Sequence, residues 1–262
     1  MMKNKVIALL FALAPLVSQA QEPTSSHLIG VGNSRILDTY ITQEKFSGIG
    51  FSYLYIKERA KPVKQWNNLI EHEIDLSSTK DRSRDANMLE GNYNLYWGRY
   101  RQWQCFGDRL QLQAGGLANA NLGFLYNMTG SNNPAQARLS LNVMPAAVAT
   151  YRFPLFKQQF QLRYELNVPL VGIMFSPNYG QSYYEIFNRG NYDHNIVPTT
   201  LISAPTFRQM LTIDWRAGEK WSLRVGYLGN YQQAQVNNLK QHIYAHRVMI
   251  GIVRHFPNPS QP

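Results

Sequence analysis

The side chains best suited to catalysis lie in one polar stretch, residues 176–206, which holds a histidine, two acids and several tyrosines. His194 follows Asp193 directly, and Glu185 lies a few residues earlier. A histidine oriented by a carboxylate can act as a general base, and a tyrosine hydroxyl can assist it, for example in hydrolysing a lipid ester. Adjacent Asp and His residues are weak evidence for a catalytic site, because catalytic groups that are distant in sequence are brought together by the fold. In addition, the sequence has no Gly-x-Ser-x-Gly motif, which would indicate a serine nucleophile. His194, Asp193 and Glu185 are therefore only weak candidates for catalytic residues.

The tyrosines of the same stretch favour a different role. Long ordered loops often carry function, and this one is suited to pack its rings over the mouth of a barrel as a cap or plug. We prefer this interpretation, and the candidate ligand-binding residues are Tyr179, Tyr183, Tyr184 and Tyr192. No metal site or other cofactor is predicted. His242 and His246 are four residues apart, but on a strand this spacing does not bring the two rings together as it would on a helix.

Charged residues of both signs recur at alternate positions of the predicted strands. In residues 66–78, for example, Glu71, Glu73 and Asp75 alternate with apolar residues. Inside a small barrel these side chains would face a lumen that is largely filled, and buried charges must pair. The pattern therefore predicts an internal ion-pair network in preference to a conduction pathway. Its predicted members are Glu71, Glu73, Asp75, Arg163, Glu165, Arg208, Asp214, Arg224 and Arg247, with Arg109 as a further lumen-facing base.

The elements that carry these residues are β-strands long enough to cross a bilayer. Apolar and polar residues alternate with a period of two in segments of about ten residues or more, which is the pattern of a strand with one face to lipid and one to a lumen. Nine segments show it clearly, and a weaker tenth is included because bacterial single-chain barrels have an even number of strands. The predicted strands are 27–37, 46–57, 66–78, 88–100, 109–126, 138–153, 158–175, 207–216, 220–236 and 242–256. The fold prediction is an antiparallel up-and-down transmembrane β-barrel of about ten strands.

Turn lengths and aromatic residues support that topology. With the last strand ending at the periplasm, the periplasmic turns are short and the external loops are longer, as in other outer-membrane barrels. Aromatic residues then gather at both ends of the strands, whereas a soluble sandwich has no reason to collect its tryptophans at one rim. The predicted periplasmic belt is Trp66, Trp97, Trp103, Phe153, Phe156, Trp215, Trp221 and Phe256. The predicted outer belt is Tyr40, Tyr126, Phe175, Phe207 and Tyr231.

The amino terminus predicts export. Lys3 and Lys5 precede an apolar stretch too short to span a bilayer, and residues 18–20 form a small-x-small cleavage site. We expect a signal peptide at residues 1–20 and one barrel domain at residues 21–262. The net charge of +10 then favours outer-membrane lipids and lipopolysaccharide phosphates as partners over nucleic acid, which an exported chain rarely meets. The single Cys105 rules out an internal disulfide.

Several motifs resemble an uncharacterised family of exported proteins from Bacteroidetes, catalogued as domain of unknown function 3316. The resemblance covers essentially the whole mature chain. It rests on residues 28–32 with 37–40, 123–127 with 132–140, 174–187 and 191–195. It implies an exported protein with an outer-membrane β-barrel, and it carries over no catalytic residues.

Three functional hypotheses remain open. The first is a non-enzymatic outer-membrane barrel, structural, ligand-binding or a narrow pore, that displays the tyrosine-rich loop outside. The second is a barrel hydrolase that modifies outer-membrane lipid or lipopolysaccharide. The third is a soluble periplasmic carrier of a small apolar ligand, which would remain in solution without detergent.

Overall fold

The computed structural model describes residues 23–61, 66–107, 109–130 and 133–256, so the predicted signal peptide lies outside the described residues. Twelve strands and one short helix are present in these ranges. The strands are β1 (Thr24–Asp38), β2 (Thr42–Lys61), β3 (Trp66–Lys80), β4 (Asn87–Cys105), β5 (Leu110–Asn127), β6 (Ala135–Leu155), β7 (Gln158–Asn167), β8 (Val171–Phe175), β9 (Ile196–Thr200), β10 (Phe207–Arg216), β11 (Trp221–Val236) and β12 (Leu239–His255). The helix, α1, is Tyr183–Phe187.

In the described parts of the chain, no helix is long and apolar enough to cross a membrane.

Ten of the strands close into an antiparallel barrel, as predicted. Each of β1 to β6 pairs with the next strand along the chain, β7 pairs with β10, and β10 to β12 continue in order. The pairing of β12 with β1 closes the ring from Thr24 opposite His255 to Asp38 opposite Gln241. The weak amino-terminal strand that parity required is therefore β1, which is fully paired on both edges for most of its length.

One predicted strand and one predicted loop are wrong in detail. The segment 158–175 is interrupted after Asn167 and resumes at Val171 as β8, which continues along β6 from Val143 to Ser140. Pro169 lies in the interruption, where its missing N–H cannot support a regular ladder. The predicted loop 176–206 contains β9, which pairs with β8. β9 is short and includes Pro198, so it carries too little alternation to be recognised.

The outer wall of the barrel is apolar. Ile29, Ile250 and Val225 lie side by side on β1, β12 and β11, and all three side chains are exposed. All five tryptophans of the chain are also exposed on this wall. At the end where β12 finishes, the guanidinium of Arg254 lies over the ring of Trp221, with 5.6 Å between guanidinium carbon and ring centroid. Such pairs suit a membrane interface, where the ring meets lipid and the charge meets water.

Histidine rings on the same wall are hydrogen-bonded to tyrosine hydroxyls. The Nδ1 atoms of His27, His72 and His246 lie 2.8, 2.7 and 2.6 Å from the hydroxyls of tyrosines on neighbouring strands. These partners are Tyr53, Tyr93 and Tyr227, in the same order. A histidine facing lipid would otherwise leave a polar nitrogen without a partner, at a cost of roughly 1–3 kcal/mol. The pairs make the histidines compatible with an apolar surrounding.

Candidate functional site

The centre of the lumen holds one arginine surrounded by three carboxylates. Arg208 extends inward from β10, and its Nε lies 2.7 Å from Oε2 of Glu73 on β3. Its Nη2 contacts Oε1 of Glu71 on the same strand, and its Nη1 lies 3.2 Å from Oε1 of Glu165 on β7. All four side chains are at most 2% exposed. The period of two on β3 is the reason that Glu71 and Glu73 point to the same side.

Neutral groups complete the hydrogen bonds of this cluster. The Asn230 amide donates to Oε1 of Glu73 at 2.8 Å, and the Asn167 amide donates to Oε1 of Glu165 at 2.9 Å. The guanidinium carbon of Arg208 lies 5.0 Å from the centre of the Tyr96 ring. Since a desolvated carboxylate is stable only when it is both paired and hydrogen-bonded, this arrangement ties β3, β4, β7, β10 and β11 together through the lumen.

Two further arginines form ion pairs nearer the end where the chain enters and leaves the barrel. Arg163 bridges Glu165 at 2.7 Å and Glu58 at 2.9 Å. Arg224 makes two parallel bonds to Asp214, with Nε–Oδ1 at 2.6 Å and Nη2–Oδ2 at 2.7 Å. Glu58 is missing from the predicted network, because the predicted strand ended one residue earlier.

The last two predicted members meet through a serine. The hydroxyl of Ser52 donates to Asp75 and accepts a bond from Nε of Arg247 at 3.0 Å. A Cβ on Gly50 would lie 2.1 Å from Nη2 of Arg247, so a larger residue at this position would displace the guanidinium. Arg109 is different from the others: it lies exposed in the turn before β5, outside the lumen, so its predicted position is wrong.

Apolar side chains fill the lumen around the ion pairs. One buried cluster takes its members from nine strands of the ring. They are Leu28, Leu54, Ile56, Leu69, Tyr96, Tyr100, Leu117, Met144, Ala146, Val148, Met210, Leu228 and Met249. Close packing of buried side chains of this kind is typical of a protein interior. The middle of the barrel is therefore a protein core.

The loop between β8 and β9 carries α1 and reaches back to other strands at the same end of the barrel. The Tyr183 hydroxyl donates to Oε1 of Gln136 on β6 at 2.8 Å and accepts from the Ala137 N–H at 2.7 Å. Its ring makes an edge contact with Tyr40, in the turn after β1, at 5.7 Å between centroids, and stacks on Phe187 at 5.9 Å. Burial raises the pKa of Tyr183, and burial with the Asp38 carboxylate raises the pKa of Tyr40 to about 12.

Amide side chains fasten the same loop at its two ends. The Asn237 amide, in the turn between β11 and β12, donates to the carbonyls of Ser176 at 3.0 Å and His194 at 2.8 Å. Inside the loop, the Asn195 amide donates to Oε1 of Gln181 at 2.7 Å. The loop thus contacts β6 and the turns after β1 and β11. Tyr40 and Phe175, predicted for a lipid-facing outer belt, instead pack against Tyr183.

The weak catalytic candidates come together only in part. Nδ1 of His194 contacts Oδ1 of Asp193, but the two side chains are 81% and 70% exposed. Glu185 lies elsewhere, in the capping box of α1, where it accepts bonds from the N–H and the hydroxyl of Ser182. These bonds lower the pKa of Glu185 and hold it as a carboxylate. The geometry gives the pair no enclosed cleft in which a substrate would be oriented.

Of the four candidate loop tyrosines, only Tyr183 faces the barrel mouth. Tyr179, Tyr184 and Tyr192 are exposed, and the guanidinium of Arg189 lies over the ring of Tyr184. In the described parts of the chain, no three or more His, Cys, Asp or Glu side chains are grouped so that they could hold a metal ion.

A polar cavity lies between the lumen cluster and the loop. Sequence reasoning missed it, although it is lined by amides that alternate along five strands of the ring: Asn94, Asn119, Asn121, Asn142, Asn230 and Gln241. It holds about 770 Å³ of space, including open solvent at its mouth. Asn121 donates to Oδ1 of Asn94 at 2.8 Å, and Asn142 donates to Oδ1 of Asn119 at 3.0 Å. The amide row is therefore held in place by its own hydrogen bonds.

Solved structures that resemble this chain include membrane barrels. The transport unit of the autotransporter AIDA-I from Escherichia coli is 8% identical, with 97% of this chain and 96% of that chain covered and a TM-score of 0.52. The outer membrane protease OmpT from Escherichia coli is 8% identical, with 94% and 99% covered and a TM-score of 0.42. The β domain of the Bordetella autotransporter BrkA is 11% identical, with 91% and 100% covered and a TM-score of 0.41. At these identities the first likeness shows the fold alone, and the other two carry no argument.

No curated protein matches the sequence. A family model described as "Protein of unknown function (DUF3316)" matches residues 5–260, which is nearly the whole chain.

Proposed function

Because this chain belongs to the DUF3316 family of proteins of unknown function, we propose a function from the structure of its own lumen. The protein is a non-enzymatic, non-conducting barrel of the outer membrane. It binds an outside partner through its capped outer end. The observation that supports this proposal is the packed interior of the barrel, where Arg208, its three carboxylates and the surrounding apolar side chains are buried. The closed ring and its apolar outer wall support a location in the outer membrane, in contact with lipid.

The cap belongs to the same proposal. Its support is the set of contacts that join the loop to β6 and to the turns after β1 and β11. A loop fastened at three separate places closes the mouth on that side while leaving Tyr179, Tyr184 and Tyr192 exposed to an outside partner. The hydrolase hypothesis has no comparable support, since the Asp193–His194 pair is solvent-exposed.

We expect the purified protein to give no stable ionic conductance in planar lipid bilayers. A double variant, Tyr183→Ala with Asn237→Ala, should also be silent, because it loosens only the cap while the packed lumen below remains. Single-channel recording at high salt measures both. Steps in the native protein would overturn the proposal, and steps only in the double variant would show that the cap, and not the core, closes the barrel.

Lipopolysaccharide is the lipid contact we propose at the outer rim. Arg35, Lys80 and Lys240 are exposed near the same ends of β1, β3 and β12, which are close neighbours in the ring. Each basic residue near an anionic lipid surface contributes roughly 1 kcal/mol at low salt. Charge reversal of all three to Glu should therefore weaken binding to lipopolysaccharide micelles at least tenfold at low ionic strength.

The matched control for that experiment is charge reversal at the opposite end. Arg59, Lys157 and Lys220 are also exposed there. Reversing three positive charges at either end changes the net charge by the same amount. Equal loss of lipopolysaccharide binding in both would contradict a specific outer rim and indicate a general effect of net charge.

A further inference from the structure

The wall of the barrel has a seam beside the amide-lined cavity. In the described residues, β9 pairs with β8 only, and the last residues of β11, from Gln232, pair only with β12. Between these two free edges runs the segment 201–206, which makes isolated contacts, such as the Gln235 N–H to the Ser203 carbonyl at 2.8 Å. Elsewhere in the described ring the strands pair along most of their length, apart from the interruption between Asn167 and Val171.

The surroundings of the seam are apolar on the outside. Ile202 is 93% exposed, and Leu170, Val171 and Leu201 are also exposed. Unpaired backbone is not tolerated against hydrocarbon unless it borders protein or a cavity. The seam meets this condition, because Leu170, Val171, Thr200 and Thr206 line the cavity. The cavity thus reaches the wall beside described strand edges that do not pair with each other.

Among the described residues that line the cavity, several have a buried polar atom without a hydrogen-bond partner. These atoms are Nδ2 of Asn94, Nη1 of Arg138 and Oε1 of Gln241. The first two are donors and the third is an acceptor, and all three residues line the cavity. Arg138 is already held by Gln232, whose Oε1 accepts from Nη2 at 3.0 Å. Unpartnered buried atoms of both kinds cost free energy that a ligand with both donors and acceptors would recover.

The residues that line the cavity limit the chemical class of ligand that it can bind. The lining combines amides, hydroxyls and the two arginines Arg138 and Arg208 with the apolar Leu170, Val171 and Met174, and it includes no described carboxylate. Hydroxyl groups both donate and accept, so a polyol or sugar satisfies the free atoms of Asn94 and Gln241 together. An apolar side that continues to the lipid-facing wall suits a hydrocarbon chain.

We propose that the cavity binds the hydroxyl-rich headgroup of an amphiphile, which enters from the bilayer through the seam between β9 and β11. The headgroup lies against the amide row, and its hydrocarbon chain passes between the 201–206 segment and the end of β11. This site is independent of whether the barrel conducts ions, and it differs from the basic outer rim.

The test uses the full-length folded protein in lauryldimethylamine oxide and two probes that share a headgroup. Dodecyl maltoside carries the sugar with a chain, maltose carries the sugar alone, and the host detergent carries a chain without a sugar. Native mass spectrometry counts the bound probe. We expect a retained dodecyl maltoside, bound at least tenfold more tightly than maltose, and at least tenfold weaker binding in the variant Asn121→Leu with Asn142→Leu.

A disulfide between Ser203→Cys and Gln235→Cys would close the seam, because the backbones of these residues are already hydrogen-bonded. It should slow the entry of dodecyl maltoside at least tenfold, and reduction should restore the rate. Heat-modifiable migration on gels confirms that each variant is folded. Equal binding of maltose with no effect of the disulfide would overturn lateral entry in favour of a free sugar, and absence of both probes from the native protein would overturn the site.

Discussion

Replacing Arg208 by Met should lower the free energy of unfolding by about 3–5 kcal/mol, the cost of leaving buried charges without their partner. Methionine keeps most of the volume of the side chain, so the apolar packing around Tyr96 and Met210 changes little. The loss comes from Glu71 and Glu73, whose only ion-pair partner among the described residues is Arg208. Unfolding in guanidinium chloride, followed by the fluorescence of the tryptophans, measures the difference.

The control removes the same charges together. In the triple variant Arg208→Met, Glu71→Gln, Glu73→Gln, no carboxylate is stranded, since Glu165 keeps Arg163 at 2.7 Å. Replacing a whole buried network by neutral groups is often close to neutral, so this variant should recover most of the lost stability. If the single and the triple variant were equally unstable, the arginine would act through packing and not through charge.

This network also shows what alternation along a strand can predict. Glu71, Glu73 and Arg208 could be assigned to the lumen from the sequence because every second residue shares a face. Glu58 and Arg109 show the limit, since each lies at or next to the end of a predicted strand, where an error of one residue decides whether a side chain is assigned to the lumen or to a turn. The register between strands, which makes Arg208 meet three acids rather than one, is set by the closure of the whole ring and is not visible in any one strand.

The contacts of the cap and the shape of the cavity could not be predicted from the sequence. Tyr183 meets Tyr40 and Gln136 across long stretches of sequence, and no local pattern announces such contacts. Polar residues such as Asn94 and Asn142 could be placed inward by alternation, but only the register shows that they form one row. The seam depends on Pro169 and on the short β9, both of which interrupt the period that carried the rest of the fold prediction. The residues of the predicted strands therefore defined the barrel, whereas its irregular segments define the candidate site.

A charged substitution on the outer wall should also have a large effect on folding into the membrane. Ile250 lies on the outward face of β12, midway between Arg254, which stacks on Trp221 at one end, and Tyr244 near the other. Its neighbours Ile29 and Val225 are exposed and apolar. An arginine near the middle of the bilayer costs roughly 2–4 kcal/mol, and near the interface roughly 0–1 kcal/mol. Ile250→Arg should therefore make folding into lipid vesicles less favourable by the larger amount, and it should reduce the fraction of compact, unboiled protein on gels.

Asn33→Arg is the matched control, since Asn33 is exposed on the adjacent strand but lies opposite His246, near the rim already occupied by Arg35. Here the long side chain can extend its charge to the headgroups, so little loss is expected. The ratio between the two effects depends on depth in the membrane and not on the number of charges. A soluble carrier would have an outer wall facing water, and the two arginines would then be tolerated alike. Equal stability of the two variants would overturn the lipid-facing assignment of the wall, and with it the outer-membrane location on which the proposed cap, rim and seam all depend.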